Sequence, residues 1–103
     1  MEKHKLDTAI KEIARIYFIA LQQLKSPKLS SGEEDPFSPF YKYYVDVEKT
    51  FVRLDSKEKE IINKEYFYDA YKDWWKRVYK AKEFVRIKYL AVSHFLEVFN
   101  EIH

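Results

Sequence analysis

The fold is decided by the last long stretch of the chain, KEFVRIKYLAVSHFLEVFNEI (residues 82–102). Its apolar residues recur every three or four positions, which is the period of an α-helix with one face in a core. They form two adjacent stripes, the first made of Phe84, Ile87, Ala91, Phe95, Val98 and Ile102, and the second of Val85, Val92, Leu96 and Phe99. So wide an apolar face predicts a helix, from about Lys82 to near the C-terminus, that contacts more than one neighbour.

The N-terminal part of the chain supplies one such neighbour. Residues 6–25 have the same helical period. Their apolar stripe consists of Leu6, Ile10, Ile13, Tyr17, Leu21 and Leu24. This helix should end before Ser26, because Pro27 disfavours a helical conformation in the residue before it. Residues 26–38, SPKLSSGEEDPFS, contain the only glycine and two of the three prolines, so we predict a loop there.

A second amphipathic segment follows this loop. Ser38 and Pro39 form a typical helix start, in which serine caps the helix and proline occupies its first position. The apolar and aromatic residues up to Leu54 then follow helical spacing. Tyr, Val, Phe and Thr also favour strands, which makes a strand the competing prediction. Because these residues do not alternate, we favour a helix.

The remaining segment contains the clearest helix start of the sequence. Asp55 and Glu58 have the spacing of a capping box, which predicts a helix over residues 56–68. A short break over 69–71 and a short helix over 73–78 would then precede the final helix. We therefore predict an all-α fold of about five helices in a single domain. That domain, residues 1–103, divides into an N-terminal helix (6–25), a loop (26–38) and a bundle resembling a helix-turn-helix (39–103).

The composition excludes several classes of protein. The 103 residues include one glycine and no cysteine, which argues against phosphate-binding loops, disulfide scaffolds and cysteine-ligated zinc. No apolar run approaches the roughly 20 residues that span a bilayer, and the first residues do not resemble a signal peptide. We therefore expect a cytoplasmic protein with no membrane contact. No catalytic or metal-ligand constellation is recognisable, so we expect no enzyme activity, no metal and no cofactor.

One segment resembles a known family. The pattern Leu54-x-x-x-Glu58-Lys59-Glu60-Ile61-Ile62-x-x-x-Tyr66 is similar to the helix that opens the fourth region of bacterial sigma factors. Small phage-type late transcription regulators with an aromatic-rich version of this module look closer still. The resemblance covers about residues 54–96 and implies a helix-turn-helix. Residues 73–79 would be its positioning helix and residues 82–98 its recognition helix.

The chain departs from this family at three positions. Trp75 stands where the first helix usually has a small residue, and Tyr79 where the turn usually has glycine. Ala81 stands where serine or threonine usually caps the recognition helix. These departures are compatible with a former DNA-binding module that now binds a protein.

A basic cluster coincides with the predicted turn. Residues 76–88 contain six basic residues and one acidic residue, a net charge of +5 in a chain whose total is +2. The candidate DNA-binding residues are Lys76, Arg77, Lys80, Lys82, Glu83 and Arg86. In a major groove, Arg86 would bind a guanine edge, Lys80 and Lys82 would pair with phosphates, and Glu83 would accept from a cytosine amino group. The alternative is a solvated charged face.

The sequence leaves two functional hypotheses open. The first is a DNA-binding transcription regulator, with duplex DNA as its partner. Its resemblance to sigma factors implies RNA polymerase as a further partner, and its N-terminal helix would brace the fold or form a homodimer. The second is a helical protein-interaction module, which would use the aromatic stripes of 6–24 and 40–51 or exposed rings among Trp74, Trp75 and Tyr79. The three histidines indicate no site, because they lack ligand partners at a recognisable spacing.

Overall fold

The computed structural model describes residues 3–25, 38–68 and 70–103, and this part of the chain is all-helical, without strands. Its four α-helices are α1 (Lys3–Lys25), α2 (Pro39–Val52), α3 (Ser56–Ile62) and α4 (Ala81–Ile102). A π-helical turn, Asn63–Phe67, continues α3, and a 3-10 turn, Trp74–Arg77, precedes α4. The all-α prediction is confirmed. Residues 26–37 of the predicted loop lie outside the described residues.

The three long helices pack against one another, with α1 on α2 and α4, and α2 on α4. The side chains of Ile10, Val47 and Phe95 are fully buried between them. Phe67, from the π turn, lies among rings of all three helices. Its centroid is 5.4 Å from that of Tyr17, 5.1 Å from Phe51 and 5.9 Å from Phe95. The core is therefore held by interlocking rings as well as by aliphatic side chains.

The predicted caps at the starts of α2 and α3 are confirmed. Ser38 caps α2, where its hydroxyl accepts a 3.2 Å hydrogen bond from the Phe40 N–H, and Pro39 occupies the first helical position. The capping box of α3 is complete. Asp55 Oδ1 accepts from the Glu58 N–H at 2.8 Å, and Glu58 Oε1 accepts from the Asp55 N–H at 3.0 Å. The segment after Ser38 is a helix, and not the competing strand.

The short helix expected over residues 73–78 is a 3-10 turn of four residues. Asp73, with a φ of 66°, has a left-handed conformation, which prevents helical winding from continuing through it. The indole of Trp74 donates a 2.8 Å hydrogen bond to Glu65 Oε2, and Trp75 stacks on Phe84. These tertiary contacts favour a tight turn over the α-helix that local pattern suggests.

A buried carboxylate joins α2 to the end of α4. Asp46 Oδ2 lies 2.6 Å from Lys42 Nζ and 2.8 Å from His103 Nδ1. The His103 ring also stacks on Phe99, with centroids 4.9 Å apart. Burial opposes ionisation of Asp46, but the hydrogen bonds from Lys42 and His103 outweigh it and hold its pKa below the usual 3.8. His103, which the sequence left without a role, therefore has a structural one.

Loss of the capping box should destabilise the protein. We expect Asp55→Ala to lower the free energy of unfolding by about 1 kcal/mol, because the first turn of α3 loses its hydrogen-bond acceptor. Urea denaturation followed by circular dichroism measures this change. Ser56→Ala, one position further on and outside the box, is the matched control and should stay near the wild-type value.

Replacement of the buried carboxylate should change how stability depends on pH. A lowered pKa in the folded state means that ionised Asp46 stabilises the fold above the unfolded-state pKa, and that this contribution disappears as the pH falls through the folded-state pKa. We expect Asp46→Asn to lower the unfolding free energy at neutral pH by about 1–2 kcal/mol, and to flatten its decline below about pH 4.

Urea denaturation at several pH values measures both effects. Glu97→Gln removes an exposed carboxylate from α4 and serves as the control for a change of charge alone. Equal pH profiles for the wild type and Asp46→Asn would contradict the proposed role of the carboxylate.

Candidate nucleic-acid interface

The basic cluster lies at the junction of the 3-10 turn and α4, and aromatic packing fixes this junction. The buried ring of Phe84, in the first turn of α4, is the centre of the packing. Trp75 stacks on it with centroids 4.6 Å apart and planes within 5° of parallel. Trp74 meets it edge-on at 5.7 Å, and Tyr79 lies 5.8 Å away. The start of α4 therefore has a rigid support within its own fold.

The two adjacent tryptophans differ in burial. Trp74 is buried, whereas Trp75 is half-buried. Tyr79 is buried too, and the ammonium of Lys57 lies 5.4 Å from its ring centroid. These three rings support the junction. Two other apolar side chains of this segment are exposed: Tyr71 is 72% exposed and Val78 is 65% exposed. Tyr71 lies in the break predicted between two helices, and no role was predicted for it.

The six predicted DNA-binding side chains are all exposed. Lys76 forms a 3.3 Å ion pair with Asp73, which offsets part of its charge. The other four basic residues, Arg77, Lys80, Lys82 and Arg86, form no ion pair or hydrogen bond through their side chains with any residue that the structure describes. We call these four the cationic tip. Lys88, also in the basic stretch, forms an ion pair with Glu65, in which Nζ lies 2.8 Å from Oε1.

The backbone adds to the positive potential of the cationic tip. Lys80 is the N-cap of α4, and its extended backbone makes no side-chain capping bond. The first free N–H groups of α4 consequently have no side-chain acceptor at the cap. Since helix N-termini carry a partial positive charge, this end of α4 favours anions. The sequence comparison placed the cap position at Ala81, whereas the structure places it at Lys80. Neither residue has the hydroxyl of a capping serine or threonine, and this absence leaves the helix end more positive.

The exposed face of α4 continues from the cationic tip along the helix. Lys82, Arg86 and Leu90 follow one another at intervals of four residues, and all three are exposed. Glu83 lies beside Lys82 and is exposed as well. The front of α4 is therefore not covered by its own fold in the described part of the chain. A helix presented in this way has the dimensions that a major groove admits.

No second chemical centre is apparent near this surface. His94 Nδ1 lies 2.8 Å from Oε2 of Glu58, the capping residue of α3, so this histidine links two helices. Among the residues described, no three histidine, aspartate or glutamate side chains are grouped closely enough to hold a metal ion. No helix within the same residues has the length and apolar character needed to cross a membrane.

Searches with this chain against models of protein families, curated proteins and solved structures found no match. The geometry of the cationic tip is therefore the basis for the function proposed next.

Proposed function

We propose that this chain is a small DNA-binding regulator that contacts duplex DNA through the cationic tip. The observation that carries the proposal is that four exposed basic side chains, none paired with a residue that the structure describes, lie within ten positions around the uncapped N-terminus of α4. Elsewhere, cations such as Lys11, Arg15 and Lys64 are paired with carboxylates, and exposed lysines without a described partner, such as Lys5 and Lys49, lie on other helices. Unpaired cations that lie close together repel one another, and a polyanion relieves this repulsion by binding.

The arrangement of the side chains suggests how the duplex would be bound. Lys82 and Arg86 share one face of α4, and Arg77 and Lys80 precede the helix. In the proposed complex, the front of α4 enters the major groove, and Arg86 donates two hydrogen bonds to a guanine edge. Lys80 and Lys82 pair with phosphates. The 3-10 turn takes the place of the positioning helix in a degenerate helix-turn-helix of the sigma-fourth-region kind.

The remaining helices would act as a brace in this proposal. α1 packs on both α2 and α4, so it supports α4. If two copies associate, two cationic tips would occupy half-sites about one helical turn apart on the duplex. A regulator resembling a sigma factor would also contact RNA polymerase, and that contact is part of the proposal.

The competing hypothesis, a protein-interaction module, has weaker support. The rings named for it are mostly packed inside: Trp74 and Tyr79 are buried, and the stripes of α1 and α2 face each other in the core. The exposed large apolar side chains of the described residues are distributed over several elements: Phe18, Ile19, Phe40, Val52, Tyr68, Tyr71, Val78, Val85 and Leu90. Tyr71 and Val78 are close in sequence to the cationic tip, so a protein partner bound there would have to be acidic as well as apolar.

The salt dependence of DNA binding tests the proposal. With four phosphates neutralised, the logarithm of the association constant for random duplex DNA should fall with the logarithm of salt concentration at a slope of about −3.6. We expect Lys82→Gln/Arg86→Gln to weaken binding at low salt and to reduce this slope by about 2, since two counterion-releasing contacts are lost. Fluorescence anisotropy at several salt concentrations measures both quantities.

A charge-matched variant separates the cationic tip from net charge. Lys5→Gln/Lys49→Gln removes two exposed lysines of α1 and α2, so it lowers the total charge equally. Its slope should stay near that of the wild type. Failure of the folded wild-type protein to bind duplex DNA at low salt would overturn the proposal and favour the protein-interaction hypothesis.

The acidic member of the surface makes a separate prediction. Glu83→Gln removes the negative charge from the front of α4, so binding to random duplex should strengthen severalfold at low salt. In a selection from randomised duplexes, the same variant should show less preference for cytosine at one position, because a neutral amide is a weaker acceptor for its amino group. Unchanged affinity and unchanged selectivity would place Glu83 outside the interface.

A further inference from the structure

A cavity of about 360 Å³ lies between α1, the π turn, the 3-10 turn and α4. Each of these elements contributes to its wall: Leu6 and Asp7 from α1, Glu65 and Tyr66 from the π turn, Trp75 from the 3-10 turn, and Phe84, Val85, Lys88, Tyr89 and Val92 from α4. Its size is at the lower end of the range for small-molecule sites. None of the four residues of the cationic tip lines it, but Val85 and Tyr89 of its wall lie three residues from Lys82 and Arg86 on α4, so the cavity borders the cationic tip.

The wall of this cavity is rich in aromatic rings. Four of the ten lining side chains are aromatic, namely Tyr66, Trp75, Phe84 and Tyr89. The face of an aromatic ring carries a partial negative charge that attracts cations. The protein already uses this attraction, since the ammonium of Lys88 lies 5.2 Å from the Tyr66 ring centroid.

Lysines balance the carboxylates of the wall. Asp7 pairs with Lys11, which lies outside the wall, and Glu65 pairs with Lys88, which belongs to it, so these four groups carry no net charge. Hydrogen bonds from Lys11 and Tyr66 to Asp7 outweigh the effect of burial and hold its pKa below the usual 3.8, so this carboxyl is ionised at neutral pH. Because the charges balance, the rings set the preference of the cavity, and they favour a cationic ligand over an anionic one.

The acceptor oxygens of both carboxylates are already engaged. Asp7 Oδ1 accepts from the Tyr66 hydroxyl at 2.7 Å, and Asp7 Oδ2 pairs with Lys11 at 2.9 Å. Glu65 Oε1 pairs with Lys88 and Oε2 accepts from Trp74, both at 2.8 Å. A primary ammonium would have to compete with these donors for acceptors. A quaternary ammonium has no N–H, so it needs no acceptor and still gains from the rings.

We propose that this cavity binds a small organic cation of the quaternary ammonium class, such as a trimethylammonium group. The π turn supports this assignment, because it presents the consecutive residues Glu65 and Tyr66 to the cavity while Phe67 remains in the core. Such π-helical insertions in α-helices are frequent at functional sites. The proposal goes beyond DNA binding and does not depend on it.

Binding of choline, compared with its neutral isostere 3,3-dimethylbutan-1-ol, tests this proposal. The two compounds have nearly the same shape and differ in charge. We expect choline chloride to shift the backbone amide resonances of Tyr66, Trp75 and Tyr89 and the indole resonance of Trp75 in NMR spectra of the full chain. These shifts should reach a plateau as the choline concentration rises. The neutral alcohol should bind about tenfold more weakly, because the cation–π contribution is lost. Sodium chloride at the same ionic strength corrects for salt effects.

Matched variants locate the site. Tyr89→Leu should weaken choline binding severalfold, whereas Tyr71→Leu, which removes an exposed ring outside the cavity, should leave it unchanged. If Tyr89→Leu does not fold, the comparison of choline with the neutral alcohol on the wild-type protein still tests the proposal. Equal affinity for choline and the alcohol, no saturable shift with choline, or shifts confined to α2 would each overturn the proposal. None of these outcomes bears on the proposal that the protein binds DNA, which has its own test.

Discussion

The ring of Phe84 is the side chain on which the rest of the structure depends. It is buried in the first turn of α4, where Trp75 stacks on it and Trp74 and Tyr79 close around it. Burying an aromatic ring of this size stabilises a domain by a few kcal/mol. In this position it also sets the direction in which α4 leaves the 3-10 turn. Both surfaces discussed above depend on that direction.

α4 contributes to two adjoining surfaces. One carries Lys82 and Arg86 into solvent beside an uncapped helix end, and the other lines an aromatic cavity with Phe84 and Lys88. The helical period places Phe84 and Lys88 away from Lys82 and Arg86, whereas Val85 and Tyr89, three residues after Lys82 and Arg86, lie at the border of the two surfaces. Lys88 shows the difference well. It belongs to the basic stretch in sequence, but its ammonium bonds Glu65 within the fold and adds nothing to the cationic tip.

Local signals were enough to predict much of this fold. The capping box of Asp55 and Glu58, the Ser38 cap and most of the apolar stripes of α1 and α4 are confirmed, because each rests on contacts within a few positions. Val85 is an exception, since it was predicted in the second stripe of α4 and is exposed. The segment around Trp74 and Trp75 was predicted as a short helix, and it is a 3-10 turn. The reason is tertiary: Trp74 donates a hydrogen bond to Glu65, and Trp75 stacks on Phe84. The π turn was also unforeseen.

Sequence periodicity determines which face of each helix is apolar, since this follows from spacing along one helix, and the sequence itself shows where basic residues cluster. Only the tertiary structure decides which carboxylates and rings meet across helices. Asp46 with His103, Glu58 with His94, and Glu65 with Lys88 are each brought together from more than twenty residues apart. Such pairs depend on how the helices cross, and no local pattern encodes this. For the same reason the cavity, whose wall comes from four separate elements, exists only once they have packed.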